Sequence, residues 1–438
     1  MALSGTTSTG FLKDVWLPAY INQYENAPGT LLSLFRKDSA DKLVEGANTY
    51  FKVRIGDSLG QETITEGGDY PEAGDVSTAQ ATVTAAHLAH TIELTSEEAV
   101  YYDSGSAAAA PIIQTKMDAA MDTMSRDIER QSWMDGTGVL ANVASSSGAT
   151  ITLDATTTAQ IDRDRYIWID DGNRRRYMVV HGTTGATQED NFTVSSIAES
   201  TNVLTCSSAD MTSATSAGVV VHRGNWATGG AFRSLEFAGL SAMLDDDNTY
   251  LGINRATAAN AYWKAIVDTN SGTLRDLTET LILQFLSKMA RRRSDGKQPR
   301  GDDYIALASP GSWNAYHSLL LPAQRYTNAT PELGWGDPLP MRGIMLYQDI
   351  HCPRNGIMVV HKPSVKYVKA KYAGNLNGDL LKFLNGPSGD IWFQKTGSVA
   401  GRYAAARQAM LEGFIGMMTM RPRNHGWLRD ITEVGSAY

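Results

Sequence analysis

Among the residues that could do chemistry, the histidines come first. The chain has eight, and the nearest pair, His87 and His90, is separated by Leu88 and Ala89. On a strand an offset of three points the two imidazoles to opposite faces, so they cannot share a metal ion. No HExxH spacing accompanies them. Gly239-Leu240-Ser241-Ala242-Met243 resembles a nucleophile elbow, but Met243 stands where the closing glycine belongs. It reads instead as a helix start rich in small residues. Asp245-Asp246-Asp247-Asn248 could offer carboxylates to calcium. Tyr250, however, occupies the position where an EF-hand loop needs glycine for its turn, and a solvated acidic turn is expected. Cys206 and Cys352 lie far apart in no CxxC pattern; two reduced, packed thiols are expected. Glycine-rich phosphate loops and dinucleotide fingerprints are absent from the sequence. No catalytic, metal-binding or cofactor-binding residue is assigned, and the chain is not read as an enzyme.

Charge is distributed more informatively. The net charge of −8 and pI near 5.5 argue against tight nucleic-acid binding by phosphate neutralisation. From Asp38 to Asp103 there are thirteen acidic and three basic residues. Within Gly56–Gln80 stand Asp57, Glu62, Glu66, Asp69, Glu72 and Asp75, with no lysine or arginine. From Lys362 to Tyr438 there are eleven basic and five acidic residues. An acidic excursion of one copy lying on a basic surface of another would fix register, and a head-to-tail contact of that kind builds rings or lattices. The basic candidates are Lys116, Arg126 and Arg130 on a predicted helix, and Arg402, Arg407, Arg421, Arg423 and Arg429 near the C-terminus. Arg126 and Arg130 share a helix face at i, i+4. Arg291–Arg293, with Lys297 and Arg300, reads as a basic helix end.

The elements that must position these groups follow from periodicity. Thr49, Phe51, Val53 and Ile55 alternate, and Ala81–Thr95 reads as a returning strand, so residues 48–95 form a long two-stranded excursion with an acidic tip. Thr95 and Glu98 have capping-box spacing. Ile113, Met117, Met121, Met124 and Ile128 then recur at helical spacing, predicting a helix over about 110–134 that ends at Asp135-Gly136. Residues 139–225 turn rich in Ser, Thr and Gly, with short β-like runs at 166–169, 177–180, 192–197, 203–206 and 219–221. Thr273 and Asp276 suggest a second capping box, followed by Leu274, Leu277, Leu281, Phe285 and Met289 on one helix face. Strands are expected at 304–308, 344–346, 357–360, 365–368, 391–393 and 414–420. A third helix starting at Ser309-Pro310 should stop at Pro322. The first ten residues lack a signal-peptide pattern, and no apolar run reaches the ~20 residues of a membrane span.

This order of parts resembles the major capsid proteins of tailed bacteriophages with the Hong Kong 97 capsid fold. The likeness spans most of the chain. It is carried by the layout, by Asp303-Tyr304-Ile305-Ala306-Leu307-Ala308-Ser309-Pro310 followed by Trp313, and by Met420-Arg421-Pro422-Arg423-Asn424-His425 through Leu428-Arg429-Asp430-Ile431. The resemblance implies an α+β fold with an N-terminal arm (1–47), an extended β-hairpin loop (48–95), a spine helix of the peripheral domain (96–138) and a β-rich insertion (139–229). An axial domain (230–360) and a C-terminal peripheral part with closing strands (361–438) complete it. The function implied is a structural subunit that self-assembles through hexamers and pentamers into an icosahedral shell enclosing phage double-stranded DNA, without sequence-specific binding. The implied partners are further copies of itself, a separate scaffolding protein, a portal and decoration proteins, with no membrane. The implied location is the virion capsid, after assembly in the bacterial host cytoplasm. An encapsulin-type cargo compartment is the alternative on the same fold, and a hydrolase a more distant one. Lys52 sits low on the first hairpin strand and the tip has no lysine, so covalent crosslinking from the loop is not expected.

Overall fold

The computed structural model describes residues 42–44, 48–54, 56, 60–72, 74–95, 112–154, 169, 176–181, 186–198, 201–207, 210–215, 218–222, 236–293, 299–301, 303–327, 339–349, 351–370, 382–383, 393–396 and 403–435. These fall into two units. The first takes its described residues from His87–Ile128 and Asp379–Phe414, the second from Thr30–Ala86, Glu129–Gly378 and Ile415–Tyr438. The expected capping box at Thr95–Glu98 and the strand at 166–169 lie almost wholly outside the described residues.

The main helix, Ile112–Trp133, lies in the first unit up to Ile128, and there it buries Ala120, Met124 and Ile128, a stripe at i, i+4 and i+8. Met121, expected in that stripe, is 38% exposed. At 3.6 residues per turn it falls at the margin of the face, and Ala120 takes the central place. The strand Ala86–Thr95 alternates buried and exposed positions and pairs with the 17-residue strand Tyr403–Thr419. Lys116 Nζ donates to the carbonyl of Glu93 at 3.0 Å, joining helix to strand. The main helix ends where the sequence places its end: Gly136 has φ +82, a left-handed conformation natural to glycine.

The second unit contains a mixed sheet whose strand order is Ile266–Asp268, Gly426–Leu428, Ile357–His361, Tyr304–Ala308, Ile344–Gln348, Leu339–Met341. The central strand Tyr304–Ala308 is buried at every position, as a strand covered on both faces must be. On one face two helices, Glu279–Arg292 and Pro310–Thr327, pack Leu281, Phe285, Met289, Trp313 and Tyr316 against Ala306, Ile344, Leu346 and Val359. Each fully buried large apolar side chain contributes about 1.5–3 kcal/mol.

Two expected helix boundaries are corrected. The first of these helices starts at Glu279, not near Thr273, because the Thr278 side chain accepts from Leu281 N–H and so supplies the cap; Leu274 is 40% exposed. The second runs through Pro322 to Thr327. An interior proline removes one backbone hydrogen bond at a cost of about 3 kcal/mol, which the packing of Trp313 and Tyr316 helps to offset.

Residues 139–222 form a seven-stranded antiparallel sheet in the order Thr187–Phe192, Tyr177–His181, Gly218–His222, Val139–Ser147, Thr150–Leu153, Val203–Cys206, Val194–Ala198. Its two end strands are consecutive in the chain, separated only by Thr193. The interior is filled by Leu140, Val143, Ile151, Tyr177, Val179, Phe192, Leu204 and Val220 among others, and Met134 alone in that cluster comes from outside residues 139–222. Entry and exit strands are neighbours, with Val139 opposite Val221.

Candidate inter-subunit surfaces

The extended hairpin pairs Asn48–Arg54 with Thr78–Thr84, from Asn48 opposite Thr84 to Arg54 opposite Thr78. A two-stranded ribbon is marginal in water unless something else holds it. Here Phe51 and Val83 pack with Val368, Met418, Leu251 and Met420, and Thr82 N–H donates to Leu251 O at 2.9 Å. The opposite face carries Tyr50, Lys52 and Arg54 to solvent. Between the strands, residues 60–72 and 74–77 form no ladder, and Glu62, Glu66, Asp69, Glu72 and Asp75 are all exposed. Asp57 lies outside the described residues. The same stretch exposes large apolar side chains: Ile64 at 45%, Tyr70 at 89% and Val76 at 45%.

The basic candidates divide. Arg407 and Arg421 are exposed, and Lys116, Arg126 and Arg423 are part-buried; Arg402 lies outside the described residues. The Arg423 guanidinium sits 4.6 Å from the ring centroid of Tyr262, itself 45% exposed. Two candidates are corrected. Arg130 is 2% exposed and grips Glu236 with both ends of its fork, Nη1 to Oε2 at 2.9 Å and Nη2 to Oε1 at 2.6 Å. It is turned inward, not set beside Arg126 on an outer face. Arg429 lies over Trp427 at 3.7 Å and 3.5 Å from Asp245, and burial lowers its pKa despite the nearby carboxylates. Both guanidinium groups are engaged within the chain, Arg130 fully buried and Arg429 part-buried.

The acidic turn is solvated at Asp247 and Asn248, but Asp245 departs from that expectation: it is only 9% exposed and accepts from Asp246 N–H, Asn248 Nδ2 and Arg429. Next to it the fully buried Arg255 donates to Met243 O at 3.0 Å, to Asn248 O at 2.9 Å and to Ala242 O, capping the short helix Leu240–Met243. Ser241, the serine of the elbow-like motif, is buried and donates to Trp133 O at 2.6 Å, which is a packing role. Gly239 is required there: a Cβ would lie 2.3 Å from Gln131 O and 2.4 Å from Ser132 O.

A second polar centre has no sequence signal beyond a lone histidine. His425 is fully buried. Its Nδ1 accepts from His361 N–H at 3.1 Å, and its Nε2 lies 3.0 Å from Ser364 Oγ and 2.9 Å from Thr419 Oγ1. Burial, with a smaller contribution from His361, pushes its pKa down to about 3. A second ring proton would have to point at the His361 N–H, so the neutral form is enforced by geometry too. Cys206 and Cys352 are both free and buried. Burial pushes the Cys206 thiol up to about 12 and the Cys352 thiol well above its usual value. Among the described residues no group of three metal-ligating side chains converges, and no helix is long and apolar enough to cross a membrane.

No protein-family model and no curated protein matches the chain. Solved structures do. The capsid of cyanophage A-1(L) is similar at a TM-score of 0.56 and 14% identity, over 98% of this chain and 100% of that one. The capsid of the native GTA particle gives 0.49 at 10% identity over 99% and 100%, and the SrpI encapsulin of Synechococcus elongatus PCC 7942 gives 0.45 at 9% over 99% and 97%. The chain has the fold of tailed-phage major capsid proteins, a mixture of helix and sheet with many more strands than helices.

Proposed function

We propose that this chain is the major capsid protein of a tailed phage, a structural subunit that forms the virion shell through hexamers and pentamers and encloses double-stranded DNA. The observation that carries this reading is the end-to-end match to the cyanophage A-1(L) capsid. The stretch between the hairpin strands supports it, since it holds three large apolar side chains and five carboxylates in solvent, as a surface awaiting a neighbour does. A net charge of −8 fits a container that holds nucleic acid without a site for it. Scaffolding, portal and decoration proteins are the partners that such a shell takes. Negative-stain microscopy of the expressed chain, with and without the neighbouring scaffolding protein, tests the proposal. Closed shells or ordered sheets are expected, and strictly monomeric scattering at high concentration in both preparations would refute it. Double-stranded DNA inside particles from infected cells, and not a protein cargo, distinguishes a capsid from an encapsulin-type compartment.

A further inference from the structure

We propose that the acidic loop of one copy docks on a patch formed by Tyr262, Arg421 and Arg423 of a second copy, with Tyr70 seated beside Tyr262 and Glu66, Asp69 and Glu72 facing the two guanidinium groups. The inference rests on the shell reading above and names the surface that the loop meets.

The loop has an unusual composition for a solvated segment. Tyr70, 89% exposed, is flanked by Glu66, Asp69 and Glu72, all exposed. A partner surface that matched it would offer cations and an aromatic face together. Arg130 and Arg429 are committed within the chain, and Arg407 offers charge without an accompanying ring in its described surroundings. At residues 262 and 421–423 the match is closer. Arg423 stacks on Tyr262 at 4.6 Å, Tyr262 is 45% exposed and Arg421 is exposed.

The patch is also held in shape before any partner arrives. Arg421 and Arg423 belong to the tight turn around Pro422–Asn424, closed by Asn424 N–H to Arg421 O and His425 N–H to Pro422 O, both 3.0 Å. His425 is pinned below it by His361, Ser364 and Thr419. Tyr262 sits on the turn Ala258–Trp263, anchored by Trp263, which is 1% exposed and donates Nε1–H to Tyr250 O at 3.2 Å. A pre-organised surface loses less freedom on binding. Tyr70 is 89% and Tyr262 45% exposed within one chain, and the proposed contact joins two copies. It joins unlike surfaces, the head-to-tail geometry from which rings and lattices grow.

The test is a charge exchange read by particle yield in wild-type buffer at low salt. R421E/R423E and, separately, E66K/D69K/E72K should each raise the protein concentration needed for assembly about tenfold, the effect of a few exposed pairs acting together. The chain carrying both sets should recover most of the yield. Recovery supports the contact; failure of the doubly exchanged chain to recover overturns it. Wild-type yield from R421E/R423E also overturns it, while leaving the shell reading intact, because the wild-type chain still assembles. Absence of particles from the wild-type chain removes the shell reading and this contact with it. Cysteine pairing is independent of assembly yield and of any misfolding of the exchanged chains. Y70C/Y262C, oxidised and run without reductant, should give a ladder of covalent multimers that neither single variant gives. Monomer alone from assembled Y70C/Y262C would refute the proposal.

Discussion

Lowering the pH from 7 to 5 should cost the fold about 2 kcal/mol through His425 alone. The histidine is completely buried, and its folded pKa is about 3 against about 6.5 in an unfolded chain. Its folded value is depressed, so between those two values the unfolded state binds the proton and the folded state does not. Stability contributed by the neutral ring is therefore complete above pH 6.5, falls as pH drops through that value and levels off below about 3. Over the whole span the loss is the pKa difference times 1.36 kcal/mol, about 5 kcal/mol; near pH 5 the unfolded ring is already almost fully protonated, and about 2 kcal/mol has gone. The assay is urea denaturation of wild type and His425→Gln at several pH values, followed by tryptophan fluorescence. The variant is expected to be less stable at pH 7, because His361 N–H, Ser364 and Thr419 lose a shaped partner. The informative quantity is the slope: the variant's stability should change about 2 kcal/mol less between pH 7 and 5. Parallel slopes would show that some other group governs the acid sensitivity and that the buried-ring argument is mistaken.

Three further outcomes are expected. Glu236→Gln leaves the Arg130 guanidinium buried without its full counter-charge and should destabilise the second unit by about 3–5 kcal/mol, whereas Arg130→Met with Glu236→Leu should cost distinctly less; a double-mutant cycle in denaturant measures this, and additive losses would contradict it. Cys206 and Cys352 should resist a thiol reagent at pH 8 in the native protein and react together on denaturation, since only thiolates attack; fast native labelling would count against their burial. Gly239→Ala forces a methyl against carbonyl oxygens at 2.3 and 2.4 Å and should lower the melting temperature by several degrees, while Gly148→Ala, with nothing within 4 Å of its Cβ but φ +54, should cost no more than about 1–2 kcal/mol.

How far the sequence could be read depended on the range of the forces involved. Local periodicity located the main helix to within a few residues, because Ala120, Met124 and Ile128 repeat on one face and Gly136 can adopt the left-handed end. Alternation found the hairpin's first strand, since Phe51 and Val53 face inward while Tyr50, Lys52 and Arg54 face out; the returning strand, expected over 81–95, is Thr78–Thr84, and Ala86–Thr95 joins another sheet. Proline was over-read: at Pro322 packing outweighs the loss of one hydrogen bond. At the candidate surfaces, charge alone marked Arg130 and Arg429 as outward-facing. Their fate was set by Glu236 and Asp245, 106 and 184 residues away in sequence, and no local pattern reports a pairing of that length. The same holds for two of the three partners of His425: His361 and Ser364 lie 64 and 61 residues away, whereas Thr419 is only six away.

The neighbouring entry and exit strands of residues 139–222 have a consequence for how this chain can change. Because Val139 lies opposite Val221, the path leaves the host fold and returns to it one strand spacing away, ~5 Å. Whatever lies between those points adds almost no closure requirement to the host, since the ends are already together. A module of another size or fold whose own termini are adjacent meets the same spacing, although it forgoes the packing of Met134 in the present core. The site is thus a natural socket for display: an enzyme, an epitope or a binding domain fused between residues 139 and 221 would be repeated once for every subunit in a particle.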